Sequence, residues 1–514
     1  VTVHLGGKMN PNAKIPKGMS FEDNSYTRLL KENLNIQVVY DWTASTSDYD
    51  EKMSLCIGSN TIPEIMNVNA TQYRALLKYD MIQPLDKYFD DYASDALKSY
   101  VKSGGEELQK CITNEDGELM AIPAPNLTAG GVNEMWIRQD WLDALGLDVP
   151  RTWDELAEVA KAFVTRDPDG NGENDTIGIL GPGNSDHMNA VGGNQFGLDP
   201  LFSCFQSYPQ YWLKSEDGSV EYGSIQPETK TALENISKLY ADGVIDPETL
   251  VRSDSKEPLL AGKVGIFFGP WWCAYTFADT TLSGSADWRA YFTPLSEDGK
   301  YYTHMAEPTT QYVVASKDCK NPEAAFKIIN YIVANEQKWV EEGVTSTEMG
   351  TGDFYPLYNT YDNADEIEKS YEALTKYLAG DISMDDVDFS THKLLKNDME
   401  AVTKLKKKPY DDFSLKYWNL DSDLAKTNLP RLVAIMVGDA PLVNEEYVPV
   451  YNAYNGQTET MEAKWANLKK MEEETFAKII MGKADISEFD TFVKNWKNQG
   501  GDQILKEIND ELSK

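Results

Sequence analysis

Asp167, Asp169, Asn171 and Asp175 put oxygen-bearing side chains at positions 1, 3, 5 and 9 of one short loop, with Gly172 at position 6. That is the ligand and turn order of an EF-hand calcium loop, in which the residue at position 7, here Glu173, contributes its backbone carbonyl. Calcium takes about six to eight hard oxygens, and alternate residues of a tightly turning loop can supply them. Position 12 departs from the pattern, because Gly178 stands where a bidentate Glu is expected. The loop follows an amphipathic stretch, "TWDELAEVAKAFVTR", whose Trp153, Leu156, Ala160, Phe163 and Val164 form one apolar stripe, and it leads into a strand-like "TIGILG". The expectation is a single helix-loop-strand site that clamps a loop with Ca2+; the plain alternative is an Asx-rich turn.

A second group of candidates is aromatic. The chain has 12 Trp and 28 Tyr, several of them placed where strands end or loops begin. Trp42 ends "IQVVYDW", Trp136 opens "WIRQDW", Trp271 and Trp272 follow "VGIFFGP", and Tyr208, Tyr211 and Trp212 crowd one loop. Ligands of open α/β sheets bind at the carboxyl ends of strands, which favours Trp42, Trp271 and Trp272. A flat indole suits the C–H face of a pyranose, while Asn69, Arg138 and Tyr208 could serve the hydroxyls. In an extended "PWW" segment the two indoles would point to opposite sides, so only one would stack on ligand. Trp153, Trp465 and Trp496 lie on helical stripes and read as packing, which is also the alternative for each of the others.

Catalytic signatures are missing. There is no GxSxG, no HExxH and no loop ending in GK[ST], and "GPGNSD" lacks the third glycine of a dinucleotide fingerprint. His4, His187, His304 and His392 show no metal-ligand spacing. Among 83 acidic residues no spacing singles out the carboxylate pair of a glycosidase. No enzyme is expected.

The elements that must position these residues alternate. "VTVHLGG", "IQVVYDW" and "EIMNV" read as strands separated by the helical "NSYTRLLKENLN" and "STSDYDEKMSLCIGS", and a second series runs from "NEMWIRQDWLDALGL" to "VGIFFGPWW". This rhythm predicts α/β architecture with mainly parallel sheets. From about Asn321 the chain turns mainly helical. At 514 residues two or three lobes are expected. A formal net charge of -35 argues against nucleic acid and anionic membranes as partners. The basic run "KLKKKPYDD" reads as a solvated loop, and the five cysteines form no CxxC pair.

Several segments in order resemble the extracellular solute-binding proteins of ABC importers, in particular the long lipoprotein-type sugar-binding members of Gram-positive bacteria. They are "IPEIMNVNATQYRALLKYDMIQPLDKYFDDY", "IRQDWLDALGLDVPRTWDELAEVAKAF", "LYADGVIDPE" with "LLAGKVGIFFGPWW", "YVVASKDCKNPEAAFKIINYI", and the helical end from "GQTETMEAKW". The resemblance implies a two-lobed periplasmic-binding-protein-like fold with ligand in the cleft between lobes: residues 1–126 plus 274–319 in one, 127–273 plus 320–514 with the C-terminal helices in the other. It implies an oligosaccharide ligand, permease subunits as partners, a monomer, and a location outside the cell on a lipid anchor. Calcium fits as well, since some oligosaccharide-binding relatives carry an ion in a loop like "DPDGNGEND", although the acidic residue that often follows its last aspartate is here Thr176. An oligopeptide receptor and a glycoside hydrolase are the alternatives.

Overall fold

A computed structural model describes residues 1–13, 15–183, 194–283, 286–341, 354–357, 361–389, 392, 394–405 and 422–512. His187, part of "GPGNSD" and most of the basic run lie outside them. The strands, in chain order, are β1 (Thr2–Met9), β2 (Gln37–Ser45), β3 (Ile65–Val68), β4 (Ile122–Pro125), β5 (Glu134–Arg138), β6 (Ile177–Leu180), β7 (Trp212–Lys214), β8 (Val220–Tyr222), β9 (Val264–Gly269), β10 (Trp288–Tyr291), β11 (Tyr301–His304), β12 (Thr309–Ala315) and β13 (Tyr447–Val450). Contacts divide the chain into two compact units. One comprises Val1–Leu127, Pro308–Glu366 and Asp388–Lys393; the other comprises Thr128–Glu307, Ile367–Val387 and Leu394–Lys514.

The first unit is built on a five-stranded sheet, order β2-β1-β3-β12-β4. β1 pairs in parallel with β2 and β3, whereas β12 runs antiparallel between β3 and β4. Alternation of buried Val3 and Leu5 with half-exposed neighbours fixes which face of β1 meets the core. Asn24 caps the helix Ser25–Leu34, accepting from the backbone of Tyr26 and Thr27 while Thr27 returns a bond to the cap. The long helix Glu323–Glu341 packs on Asp86–Tyr92 and Asp95–Ser103, with Phe89 against Phe326 and Tyr26 against Trp339.

The second unit has a four-stranded sheet, order β10-β5-β9-β6. β5 is antiparallel to both β10 and β9, and β6 is parallel to β9. Its core also takes Met461, Leu468, Phe476, Phe489, Phe492, Trp496, Ile504 and Ile508 from the C-terminal helices. Both sheets are therefore mixed, not mainly parallel, because return strands β5, β10 and β12 insert antiparallel. The segment boundaries also differ from expectation. Residues 274–307 belong to the second unit, since β10 pairs with β5 there; residues 320–366 belong to the first, since the helix Glu323–Glu341 buries its apolar face in that core. All five cysteines are free thiols. No helix among the described residues is long and apolar enough to cross a membrane.

Candidate functional site

The acidic loop follows the helix Trp153–Thr165, which begins with a capping box between Thr152 and Glu155, and it ends at β6. Asp167 turns the chain at a φ of 46°, and its carboxylate accepts from the backbone N–H of Asn171 at 3.1 Å and of Gly172 at 3.0 Å. The Asn171 amide nitrogen donates to Asp169 at 3.0 Å and to Asp175 at 3.2 Å, so these three side chains surround one point. Partial burial first, then the adjoining carboxyl of Asp167, raises the Asp169 carboxyl above its ordinary range. Like charges held this close are what a bound cation relieves. The Lys263 ammonium, 2.8 Å from Asp175, supplies one positive charge. Among the described residues no three His, Cys, Asp or Glu side chains are close enough to hold a metal by themselves. Asn171 turns its amide nitrogen toward these carboxylates, while its side-chain oxygen accepts from the Glu173 N–H at 2.6 Å. Position 12 is closed by packing: a Cβ on Gly178 would stand 2.7 Å from the carbonyl oxygens of Ala160 and Val244. Thr176 is buried and donates to the Phe163 carbonyl at 2.6 Å, so it faces the helix.

In the first unit Trp42 sits inside β2, which continues to Ser45. A bulge makes Asp41 the extra residue, and Trp42 then lies opposite Gly6. Its ring covers that glycine, where a Cβ would be 2.6 Å from Cζ2, and tilts against Tyr49 at 5.3 Å. The Trp42 indole N–H is buried without a partner among the described residues. Asn69 caps the helix Ala70–Lys78, with its side-chain oxygen taken by the Gln72 N–H at 3.0 Å.

In the second unit Trp271 and Trp272 open a 3-10 turn, Trp271–Tyr275, directly after β9 and Pro270. The segment is helical instead of extended, so successive indoles diverge by about a third of a turn rather than pointing to opposite sides. Trp271 is buried with an unpartnered N–H, and Trp272 is half-buried. Arg138 is buried at the end of β5. Its guanidinium is held by Asp140 at 2.8 and 2.5 Å, donates to the Gly262 carbonyl, and lies 4.5 Å from the Trp141 ring centroid. That fork ties β5 to its neighbours and is committed there. Tyr208 is buried too, its ring edge-on to His304 at 5.1 Å.

Sequence reasoning missed two buried polar groups of this unit. Glu134 and Asp439 are fully buried, and their carboxylate oxygens find no partner among the described residues. Burial, then the charge of Asp439, pushes the Glu134 carboxyl well above the carboxylate range; burial, then Glu368, does the same to Asp439. A charged residue inside the apolar strand "NEMWI" was the available signal. The other group is His304, whose imidazole burial pulls down to about 3, 4.0 Å from Asp199. The Asn133 amide holds the other Asp199 oxygen at 2.6 Å.

Against this geometry the comparisons with known proteins are informative. Residues 14–339 match the family described as bacterial extracellular solute-binding protein. The fructooligosaccharide ABC transporter substrate-binding protein FusA of Streptococcus pneumoniae is 30% identical over 259 residues, 47% of this chain and 45% of that one. The match thus spans about half the length of that relative. The polygalacturonan/rhamnogalacturonan-binding protein YtcQ of Bacillus subtilis is 23% identical over 519 residues, 98% of this chain and 92% of that one. Among solved structures, an HMO-binding solute-binding protein of Bifidobacterium longum infantis superposes with a TM-score of 0.61 at 17% identity, over 98% of this chain and 97% of that one. An EF-hand mutant of FusA in complex with fructo-nystose gives 0.56 at 16%, over 100% and 99%. At these identities the structural likeness is one of fold, and with the family match covering well over half of the sequence, the chain belongs to the bacterial extracellular solute-binding proteins.

Proposed function

We propose that this protein is the capture component of an ABC importer: it binds an oligosaccharide outside the cell and passes it to membrane permease subunits without catalysing a reaction. The observation that carries this reading is the pair Trp271 and Trp272 at the carboxyl end of β9, in a chain that aligns over nearly its whole length with a sugar-binding relative. Indoles in a desolvated site supply the apolar face that a sugar ring stacks on. Trp42 is the candidate platform of the first unit. The protein acts as a monomer, on a lipid anchor at the outer face of the membrane. The acidic loop is part of the same reading, with Asp167, Asp169, Asn171, Asp175 and the Glu173 carbonyl holding a structural Ca2+. The ion adds to the single positive charge that Lys263 brings to these carboxylates.

A thermal-shift screen of neutral and acidic oligosaccharides, with oligopeptides alongside, tests the proposal. Oligosaccharides alone should raise the melting temperature and should be recovered at their original length. Replacing a stacked indole costs on the order of 2 kcal/mol, roughly thirtyfold in affinity. Calorimetry on Trp42→Ala, Trp271→Ala and Trp272→Ala should show that loss in at least one folded variant. Wild-type affinity in all three would place the sugar elsewhere, and stabilisation by peptides alone would overturn the oligosaccharide reading.

A further inference from the structure

Trp42 stands on the face of the first sheet where a regular strand would not put it. Val38 pairs with Val3 and Tyr40 with Leu5, so Val38 and Tyr40 share the core face of β1 and β2, where Tyr40 meets Phe21 at 4.9 Å. Side chains alternate along a strand, and position 42 should follow positions 38 and 40 onto that face. Asp41 breaks the alternation. As the extra residue of the bulge it leaves Trp42 opposite Gly6, and the indole covers Gly6 on the other face of the sheet, against Tyr49, whose hydroxyl donates to the Asn67 carbonyl at 3.0 Å. Re-aiming a side chain is a recurrent use of bulges next to binding sites. His4 holds the extra residue. It lies two residues before Gly6 on the same face, and its Nδ1 is 2.6 Å from Asp41 Oδ1, with both side chains half-exposed. From the other side Glu64 accepts the His4 backbone N–H at 3.1 Å. Among the described residues the charges acting on His4 are those of Asp41 and Glu64, both negative. The hydrogen bond to Asp41, then these charges, raise its imidazole above the ordinary value against the opposing effect of burial.

We propose that Asp41 is a positioning residue for ligand capture: pinned by His4, it keeps the bulge that turns the Trp42 indole off the core face and onto Gly6, where it serves as a sugar platform. The inference rests on the oligosaccharide reading above, in which Trp42 is the platform of the first unit. Each part has its own physical reason. The extra residue sets the side on which the indole stands. Gly6 leaves the room, since a Cβ there would be 2.6 Å from the ring. β2 is the edge strand of its sheet, so no second neighbouring strand fixes its register, and the side-chain pair across to β1 takes that part. Protonated His4 holds Asp41 as an ion pair, whereas neutral His4 holds it only as a hydrogen-bond donor. The grip is therefore complete below the ordinary imidazole range and weakens as pH rises through the raised value.

Calorimetry on the full chain decides it, with nystose, cellotetraose, xylotetraose and trigalacturonate as probes, at about pH 5.5 and about pH 9. For a probe that binds, the wild type should weaken about three- to fivefold between the two, the worth of one half-exposed pair. His4→Gln should sit at the weaker level at both, and His4→Lys, charged throughout, should keep the tighter level at both. Deleting Asp41 should weaken binding about thirtyfold, as Trp42→Ala does, and should add nothing in a Trp42→Ala background, because both changes remove one contact. A general loss of stability produces neither that pH pattern nor that non-additivity, and if the deletion variant does not fold, the two His4 variants decide. The wild-type pH dependence persisting in His4→Gln, additive losses in the double variant, or unchanged affinity in Trp42→Ala overturns the positioning role and leaves the receptor reading standing. If no probe binds, the receptor reading fails and the positioning role falls with it.

Discussion

Glu472 lies in the middle of the helix Glu459–Ile480, fully buried, and its carboxylate accepts the hydroxyls of Tyr222 and Ser224, each at 2.8 Å. Burial outweighs both bonds and pushes its carboxyl from 4.5 up to about 7. The folded state therefore binds this proton more tightly than the unfolded chain does. Its contribution is fully present below about pH 4.5 and is lost as pH rises through 7. Glu472→Gln should remove that dependence: denaturant titrations should show the variant gaining on the wild type by on the order of 3 kcal/mol between pH 4.5 and pH 8. A constant difference across the range would refute the assignment. Glu472 was not legible in the sequence, since on a helix rich in Glu and Lys nothing separates the one carboxylate that turns inward. Glu134 was hidden for a related reason. An acid in an apolar strand says nothing of what packs beside it, and here Gly438, far along the chain, folds back against Trp136 and Trp271. The position of Trp271 just past β9 was legible because strand, Gly-Pro and indole are adjacent in sequence.

At the scale of elements, the amphipathic helix Trp153–Thr165, its cap, and the strand after it could be read directly, since periodicity and capping are local. What could not be read was why the loop between them ends in glycine. β6 runs so close to Ala160 of that helix and to Val244 that a Cβ on Gly178 would stand 2.7 Å from two backbone carbonyl oxygens, and backbone cannot move aside as a side chain can. The missing position 12 ligand is thus a packing requirement of the strand. Gly178→Glu, which restores the calcium pattern on paper, should lower the melting temperature and leave calcium affinity no tighter; Gly178→Ala should already cost about 1–3 kcal/mol. Tighter calcium binding in a stable Gly178→Glu protein would show that the strand can give way. The same locality explains the other failures. Trp42 looked like a strand end because the bulge beyond Leu5 depends on β1, and the antiparallel insertion of β12 depends on a partner that sequence patterns do not name.

For the whole molecule, 83 acidic residues face 48 basic ones, so self-repulsion opposes the compact state and calcium at the acidic loop should relieve some of it. Chelation should lower the melting temperature of the wild type, by the loss of roughly 3 kcal/mol if the ion had been at a hundredfold excess over its dissociation constant. Asp169→Ala should melt at one temperature with or without chelator; an unaffected wild type would leave the loop an Asx turn. The architecture was legible as two strand-helix series, but the segments composing each unit were not, because membership is decided by pairing across long sequence gaps. One such pairing also governs how the molecule comes into being. β12 is the fourth strand of a five-strand sheet, lying between β3 and β4. A chain emerging vectorially from a ribosome therefore presents β3 and β4 with a gap between them until residues 309–315 follow. For that interval both edges are open templates for mispairing. A fragment of residues 1–127 should be largely unfolded and prone to aggregate. Adding a peptide spanning 308–341 in trans should recover ordered β-structure by circular dichroism, and a fragment that folds cooperatively by itself would show that the sheet closes without its inserted strand.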